Sequence, residues 1–185
     1  MIFAETERLI IRTAREGDQH ALLPGWSDPE MTRYTGLRQD VPAFLAQLVA
    51  EMEGKQPGDT EPGGPWYQYV VERREDGSIL GDLGVGFGVP GERQVELGYR
   101  ILPIHQRNGY AREAVAAMID HLIAAHRIHR VVGLAATENR ASIGVLRSLG
   151  FRQEGEFRQS FWCNGQWLDD AYFALLASEW RARRG

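Results

Sequence analysis

The chain has 185 residues, the length of one ordinary domain, and its apolar and charged fractions are those of a globular protein. Its formal net charge of -4 argues against nucleic-acid binding, and its single cysteine, Cys163, excludes an internal disulfide and argues against a thiolate metal site. No stretch approaches the roughly 20 apolar residues of a membrane span, and acidic residues interrupt the N-terminus before any signal-like apolar run, so we expect a cytoplasmic protein.

The N-terminal part of the chain is predicted to contain one strand followed by three helical segments. In chain order these are a strand at 8–12, a short helix at 18–23, a helical turn that starts at 28–29 and a longer helix at 40–52. Pro24 and Gly25 are expected to stop the short helix. The longer helix is clearer, because its apolar residues recur at the spacing of one helical face and Asp40 can cap it.

Residues 54–65 are rich in turn formers and predict a loop that is long for a compact domain. It is either part of a substrate rim or an ordinary surface loop. Three strands of an antiparallel meander follow, at 66–73, 78–88 and 94–102, with turns at 76–77 and 90–91. Glycines recur in the middle strand, where a glycine often permits the close approach of another group.

The C-terminal half is predicted to contain the strongest helix, at 109–126, then an apolar strand at 131–136 and a helix at 139–149. A final hairpin, 151–158 and 170–176, turns at 164–165. The strands on either side of the helix at 109–126 form a strand–helix–strand unit, so we expect them to run parallel. This order predicts an α+β fold with a central, mixed, mostly antiparallel sheet flanked by helices.

The clearest chemical signal is residues 106–111, Gln-Arg-Asn-Gly-Tyr-Ala, which open the strongest helix. Free N–H groups and the positive dipole end of a helix suit phosphate, and small residues at Gly109 and Ala111 permit its close approach. The alternative is that Gly109 merely starts a helix, and the hexapeptide alone does not separate the two. A P-loop is absent from the sequence, and the glycines at 84–88 lead into a strand, unlike a dinucleotide fingerprint.

With its surroundings, this segment resembles the GNAT superfamily of N-acetyltransferases, whose signature Gln/Arg-x-x-Gly-x-Gly/Ala is matched by Gln106, Gly109 and Ala111. Further similar stretches are 6–9, Glu-Leu-Gly-Tyr at 96–99, Asn-Arg-Ala-Ser at 139–142, Leu-Gly-Phe at 149–151 and 170–180. The combination is similar to the RimJ/RimL branch of ribosomal-protein alanine N-acetyltransferases, which also has members acting on small amines. The resemblance covers nearly the whole chain and implies a GNAT fold in which 1–185 is a single N-acetyltransferase domain.

The resemblance implies acetyl-CoA as co-substrate, with the pantetheine arm between two splayed central strands and a backbone N–H at the end of the meander facing the thioester oxygen. The residues expected on this basis to bind the cofactor are Ile101, Leu102, Gln106, Arg107, Asn108, Gly109, Tyr110, Ala111, Arg112 and Asn139. Asn139 has a second interpretation, as a helix cap. We expect no metal, because the histidines do not share a helical face.

The resemblance also implies direct attack of the amine on the thioester. A lysine-like amine titrates near ~10.4, so a base is useful at neutral pH, and Glu96 is the first candidate. The alternative for Glu96 is a charged residue on a solvated strand face. Many GNAT members supply a proton to the thiolate from a tyrosine, but the aligned position here is Leu146. Ser142 is the replacement candidate, or an ordinary first-turn residue, and Tyr172 is a weaker one.

The acceptor is expected to be an amine, either of a protein N-terminus or of a small molecule, with no nucleic-acid or membrane partner and with a monomer or homodimer as the assembly. A non-catalytic acyl-CoA-binding sensor is the alternative, because Leu146 replaces the usual tyrosine. Turnover of acetyl-CoA with any amine separates the two.

Overall fold

The computed structural model describes residues 1–36, 38–52, 66–88 and 92–185. The predicted loop at 54–65 and the predicted turn at 90–91 lie outside these ranges. Within them the chain forms eight strands and six α-helices. The strands are β1 (Ile2–Glu5), β2 (Leu9–Thr13), β3 (Tyr67–Arg73), β4 (Ile79–Phe87), β5 (Gln94–Ile101), β6 (Arg130–Ala136), β7 (Arg152–Cys163) and β8 (Gln166–Leu176). The helices are α1 (Asp18–Ser27), α2 (Pro29–Thr32), α3 (Val41–Met52), α4 (Tyr110–Ala125), α5 (Arg140–Leu149) and α6 (Ala177–Arg184).

All eight strands form one sheet in the order β1-β2-β3-β4-β5-β6-β8-β7. The neighbours β5 and β6, on either side of α4, are parallel, and the other neighbours are antiparallel. The α+β class, the mixed, mostly antiparallel sheet and the parallel pair around α4 are thus confirmed. Side chains alternate between the two faces of the sheet. On one face Trp26 of α1 donates to Asp82 of β4, and on the other Leu146 of α5 packs on Gly133 of β6.

The prediction that Pro24 and Gly25 stop the first helix is wrong. The helix continues to Ser27 with Pro24 inside it, and the N–H of Asp28 bonds to the Pro24 carbonyl at 3.0 Å. Gly25 serves packing instead, because a Cβ there would lie 2.7 Å from Cδ2 of Leu102. Tertiary contact between α1 and β5 therefore overrides the local preference of proline.

The first strand and the last helix were not predicted from the sequence, and the final hairpin is longer than predicted. β1 is a short edge strand in which the two end residues are exposed and the two middle residues are half-buried, so it lacks the alternation of a half-buried strand. α6 is rich in arginine and buries only Ala177 and Trp180. β7 and β8 extend to Cys163 and Gln166 and turn at 164–165, as predicted.

A buried ion pair ties α1 to the sheet. The guanidinium of Arg12 on β2 donates to both carboxylate oxygens of Asp18 at 2.7 and 2.9 Å and to Glu72 of β3 at 2.7 Å. The side chains of Arg12 and Asp18 are only 6% and 7% exposed. Removing one partner of such a pair leaves a buried charge that is only partly compensated.

We therefore expect Asp18→Asn to lower the free energy of unfolding by about 3 kcal/mol, the low end for a broken buried pair because Glu72 remains beside Arg12. Asp76→Asn is the matched control, since Asp76 pairs with Arg73 at the surface and such pairs contribute little. Urea unfolding measures both. Equal stability losses in the two variants would contradict this role for Arg12 and Asp18.

Candidate functional site

The two parallel strands at the centre of the sheet separate along their length. β5 pairs with β6 only from Gln94 opposite Arg130 to Glu96 opposite Val132. Beyond that point β5 stays paired with β4 as far as Ile101, and β6 stays paired with β8 as far as Ala136. A wedge-shaped cleft therefore opens between 97–101 and 133–136, with Glu96 at its closed end.

In the described part of the chain, the cleft is lined by backbone peptide groups that make no hydrogen bond to a neighbouring strand. The N–H of Leu102 bonds to the Leu80 carbonyl at 2.8 Å, so the alternation of an antiparallel ladder turns the peptide groups of Tyr99 and Ile101 away from β4 and toward β6. Strand β6 shows the same alternation. The N–H of Thr137 bonds to the carbonyl of Asp169 on the β8 side, so the peptide groups of Leu134 point toward β5. The cleft thus offers hydrogen-bonding groups to an extended chain that enters it.

The loop before α4 presents free N–H groups at the open end of the cleft. Arg107 and Gly109 adopt positive φ angles of 62° and 79°. Among the described residues, nothing accepts a hydrogen bond from the backbone N–H groups of 107–112. Residues 106–109 and Arg112 are exposed, and Tyr110 and Ala111 are half-buried. This arrangement is suited to an anion such as a phosphate.

Side chains hold this loop in place. Gln106 Nε2 donates to the carbonyl of Ile101 at 2.9 Å, which ties the loop to the end of β5. Asn108 Nδ2 donates to the carbonyls of residues 105 and 106 at 3.2 and 3.0 Å. Arg8, which precedes β2, donates to the Asn108 carbonyl at 3.1 Å and stacks over the ring of Tyr110 at 4.7 Å. Gln106 and Asn108 therefore shape the loop and leave its N–H groups open.

On the α5 side of the cleft, a tyrosine and a serine are linked. Asn139 caps α5, with its Oδ1 accepting from the Ser142 N–H at 3.1 Å. The Ser142 hydroxyl lies 2.9 Å from Tyr99 Oη, which is also 3.0 Å from the Ser142 carbonyl oxygen. Burial raises the pKa of Tyr99 to about 12, so this phenol stays protonated. The sequence analysis did not assign Tyr99 a role.

On the opposite face of the sheet, two carboxylates, those of Glu96 and Asp170, are electrostatically coupled. Glu96 is half-buried and lies opposite Gly86 of β4, and among the described residues its carboxylate makes no hydrogen bond or ion pair. Burial, and then the charge of Asp170 on β8, raise the pKa of Glu96. Burial also raises the pKa of Asp170. A carboxylate whose pKa is raised is a stronger proton acceptor than an ordinary carboxylate, and Glu96 lies at the closed end of the cleft.

Comparison with known proteins identifies the family. A family model described as an acetyltransferase (GNAT) domain matches residues 8–152. The chain belongs to the GNAT family of acetyltransferases. The uncharacterized N-acetyltransferase YoaA of Bacillus subtilis (strain 168) is 29% identical over 176 residues, which are 93% of this chain and 95% of that protein.

Solved structures share the fold of this GNAT chain. The ribosomal-protein-S5-alanine acetyltransferase of Vibrio fischeri has a TM-score of 0.81 at 21% identity, with 97% of this chain and 98% of that chain covered. A spermidine N-acetyltransferase of Vibrio cholerae, in complex with CoA and spermine, has a TM-score of 0.80 at 20% identity, covering 95% of this chain and 99% of that chain. The GNAT fold expected from the sequence is confirmed, and the chain is an acetyltransferase.

Leu146 of this acetyltransferase belongs to the core. It is 1% exposed, and its Cδ2 lies 3.0 Å from the point where a Cβ at Gly133 would be. Tyr172 pairs with Leu134 on the Glu96 face, away from Ser142. Neither Leu146 nor Tyr172 therefore places a hydroxyl beside Ser142, whereas Tyr99 does.

Two further features concern the described part of the chain. No group of three or more His, Cys, Asp or Glu side chains there could hold a metal ion. No helix among the same residues is long and apolar enough to cross a membrane.

Proposed function

We propose that this GNAT acetyltransferase transfers an acetyl group from acetyl-CoA to a primary amine by direct attack, as a single domain of residues 1–185 in the cytoplasm. The observation that carries the proposal is the wedge-shaped cleft between β5 and β6, which joins unpaired peptide groups to the open N–H groups before α4. A pantetheine arm carries amides that can pair with the former, and a pyrophosphate suits the latter.

Each cofactor residue has a part in this proposal. The N–H groups of 107–112, with the exposed cations of Arg107 and Arg112, bind the pyrophosphate. The peptide groups of Tyr99 and the N–H of Ile101 bind the pantetheine arm or the thioester oxygen. The Ile101 carbonyl already accepts from Gln106, and the Leu102 N–H is already bonded to Leu80. Leu102 and Gln106 support the end of β5. Asn139 caps α5 with its oxygen, and its amide nitrogen remains available to donate to the arm.

Glu96 is the proposed base. The amine nitrogen attacks the thioester carbonyl carbon, its proton passes to Glu96 directly or through water, and the C–S bond breaks as the carbonyl re-forms. A neutral amine is required because its lone pair forms the new C–N bond. Because the pKa of Glu96 is raised, it differs less from the pKa of the amine, near ~10.4, and proton transfer to Glu96 is less unfavourable.

Ser142 is proposed to stabilise the departing sulfur with a hydrogen bond. A thiol titrates near ~8.5, so a thiolate needs little more than one good donor to leave. Tyr99 is unsuited to full proton transfer, since its pKa of about 12 would make that step uphill by roughly 5 kcal/mol. We therefore assign Tyr99 a positioning role, holding the Ser142 hydroxyl at the cleft.

The acceptor is proposed to be a cationic amine, either a protein N-terminus or a small molecule, because Glu96 and Asp170 share its face of the sheet. Membership of the RimJ/RimL branch stays a prediction. One of the two structures above is named as an acetyltransferase of a ribosomal protein and the other as an acetyltransferase of spermidine, and their TM-scores to this chain are nearly equal. Thiol release from acetyl-CoA, screened against amines and N-terminal peptides, tests the proposal. Tight CoA binding with no turnover for any amine would favour the alternative function, a non-catalytic acyl-CoA-binding sensor. That alternative rests on the buried Leu146, which cannot donate a proton.

The proposed phosphate site predicts that Gly109→Trp weakens CoA binding at least roughly tenfold, or 1.4 kcal/mol, because the indole would stand where the pyrophosphate approaches. Gly17→Trp is the matched control, since Gly17 also precedes a helix at a positive φ, 98° against 79°, and so carries similar backbone strain. Calorimetry on the folded variants measures both affinities. An unchanged CoA affinity in Gly109→Trp would show that the pyrophosphate does not bind at this loop.

The coupling between Glu96 and Asp170 predicts a pH effect. The base acts only when deprotonated, so kcat/KM should fall as the pH falls through the raised pKa of Glu96. Asp170→Asn removes a charge that raises this pKa, so the fall in kcat/KM should shift to lower pH.

Glu96→Gln should abolish the part of the fall in kcat/KM that is due to Glu96, and it should lose more activity at neutral than at alkaline pH. Glu92→Gln, an exposed carboxylate before β5, is the control and should leave the profile unchanged. A profile unmoved in both Glu96→Gln and Asp170→Asn would rule out Glu96 as the base.

The link between Tyr99 and Ser142 predicts non-additive effects. Ser142→Ala should slow single-turnover transfer roughly 10- to 100-fold, the value of a hydrogen bond to a charged group. Tyr99→Phe should slow it less, and the double variant should be no slower than Ser142→Ala alone. Ser148→Ala, an exposed serine later in α5, is the control. Additive losses would show that the two residues act separately.

A further inference from the structure

Three glycines form a flat floor on the Glu96 face of the sheet, and the indole of Trp66 lies on it. A Cβ at Gly84, Gly86 or Gly98 would come within 2.7, 3.0 and 3.2 Å of the Trp66 ring. The first two glycines are on β4, and Gly98 lies opposite Gly84 on β5. Any other residue at these positions would push the ring away from the sheet.

The backbone itself does not require these glycines. None of the three has a positive φ, and all three lie within regularly paired strands. Glycine weakens a strand, because it has no side chain to pack and loses more conformational entropy on folding. What the three share is contact with Trp66, so the glycine floor serves to seat this ring close to the sheet.

The seated ring lies next to the proposed base. Glu96 is directly opposite Gly86, and side chains opposite each other in an antiparallel pair start about 5 Å apart. Trp66 is 37% exposed, so part of its ring faces outward. On β6, Leu134 lies two residues beyond Val132, the partner of Glu96, and is 41% exposed on the same face. The surface beside Glu96 therefore includes the Trp66 indole on the β4 side.

We propose that Trp66 determines acceptor specificity by limiting the width of the pocket beside Glu96, so that slender, unbranched primary amines are preferred. The inference rests on the proposed acetyl transfer and names the acceptor class of that same site. The aromatic face also attracts a cation, which supports binding of the protonated amine before Glu96 or water removes its proton. Branched or cyclic groups within one or two carbons of the amino group meet the ring.

The test compares kcat/KM for hexylamine and for cyclohexylmethylamine. Trp66→Ala removes the ring and leaves open space above the glycine floor, so the ratio of cyclohexylmethylamine to hexylamine should rise at least roughly tenfold. Gly98→Ala should do the reverse, because its Cβ pushes the ring outward. Trp167→Ala is the matched control, since Trp167 is 55% exposed at the end of the final hairpin and packs on Trp162. If Trp66→Ala does not fold, Trp66→Leu should shift the ratio in the same direction by less.

The possible outcomes distinguish a failure of the proposed acetyl transfer from a failure of the proposed role of Trp66. Absence of thiol release by the unchanged protein with every amine would overturn the proposed function itself. A working enzyme whose preference is the same in the unchanged protein and in the folded Trp66 variant would overturn only the role of Trp66. A preference that changes equally in Trp167→Ala would also overturn it, because the effect would not be local to the pocket.

Discussion

The end of one parallel ladder is the constraint on which the site depends. β5 and β6 share hydrogen bonds only as far as Glu96 and Val132, and each then follows its other neighbour. A sheet that stayed paired would have no room for a ligand and no free peptide groups at its centre. The same divergence places Glu96 at the closed end of the cleft, where burial raises its pKa.

Strand alternation then divides the chemistry between the two faces of the sheet. Glu96 points to the face that carries Trp66 and Asp170, whereas Tyr99, three residues later, points to the face of α5 and meets Ser142. The proposed base and the proposed sulfur-stabilising donor therefore lie on opposite faces of the sheet. The N-terminus of α4 lies at the open end, because Gln106 ties its loop to Ile101.

Periodicity was enough to predict most of the fold, including α4, α5, the meander and the parallel pair, because those elements have regular apolar patterns. It failed for α1, where contacts with Leu102 outweigh Pro24, and for β1 and α6, which bury few residues. The signature residues and Glu96 could be named from the sequence. Tyr99 and Trp66 could not, since their partners are distant in sequence: Ser142 is 43 residues from Tyr99. Nothing local encodes where the ladder between β5 and β6 stops.

Glycines next to the cleft have the same physical effect on both faces of the sheet. Gly133 lets Leu146 lie close to β6 on one face, and Gly84, Gly86 and Gly98 let Trp66 lie close to β4 and β5 on the other. In both places a large side chain takes the volume that a Cβ would occupy, so the walls of the cleft are built from side chains of other elements. Leu146 is pressed against Gly133 and buried, so this position serves the core. In the proposed mechanism Ser142 stabilises the thiolate, and its hydroxyl lies within hydrogen-bond distance of Tyr99 while its backbone N–H is capped by Asn139.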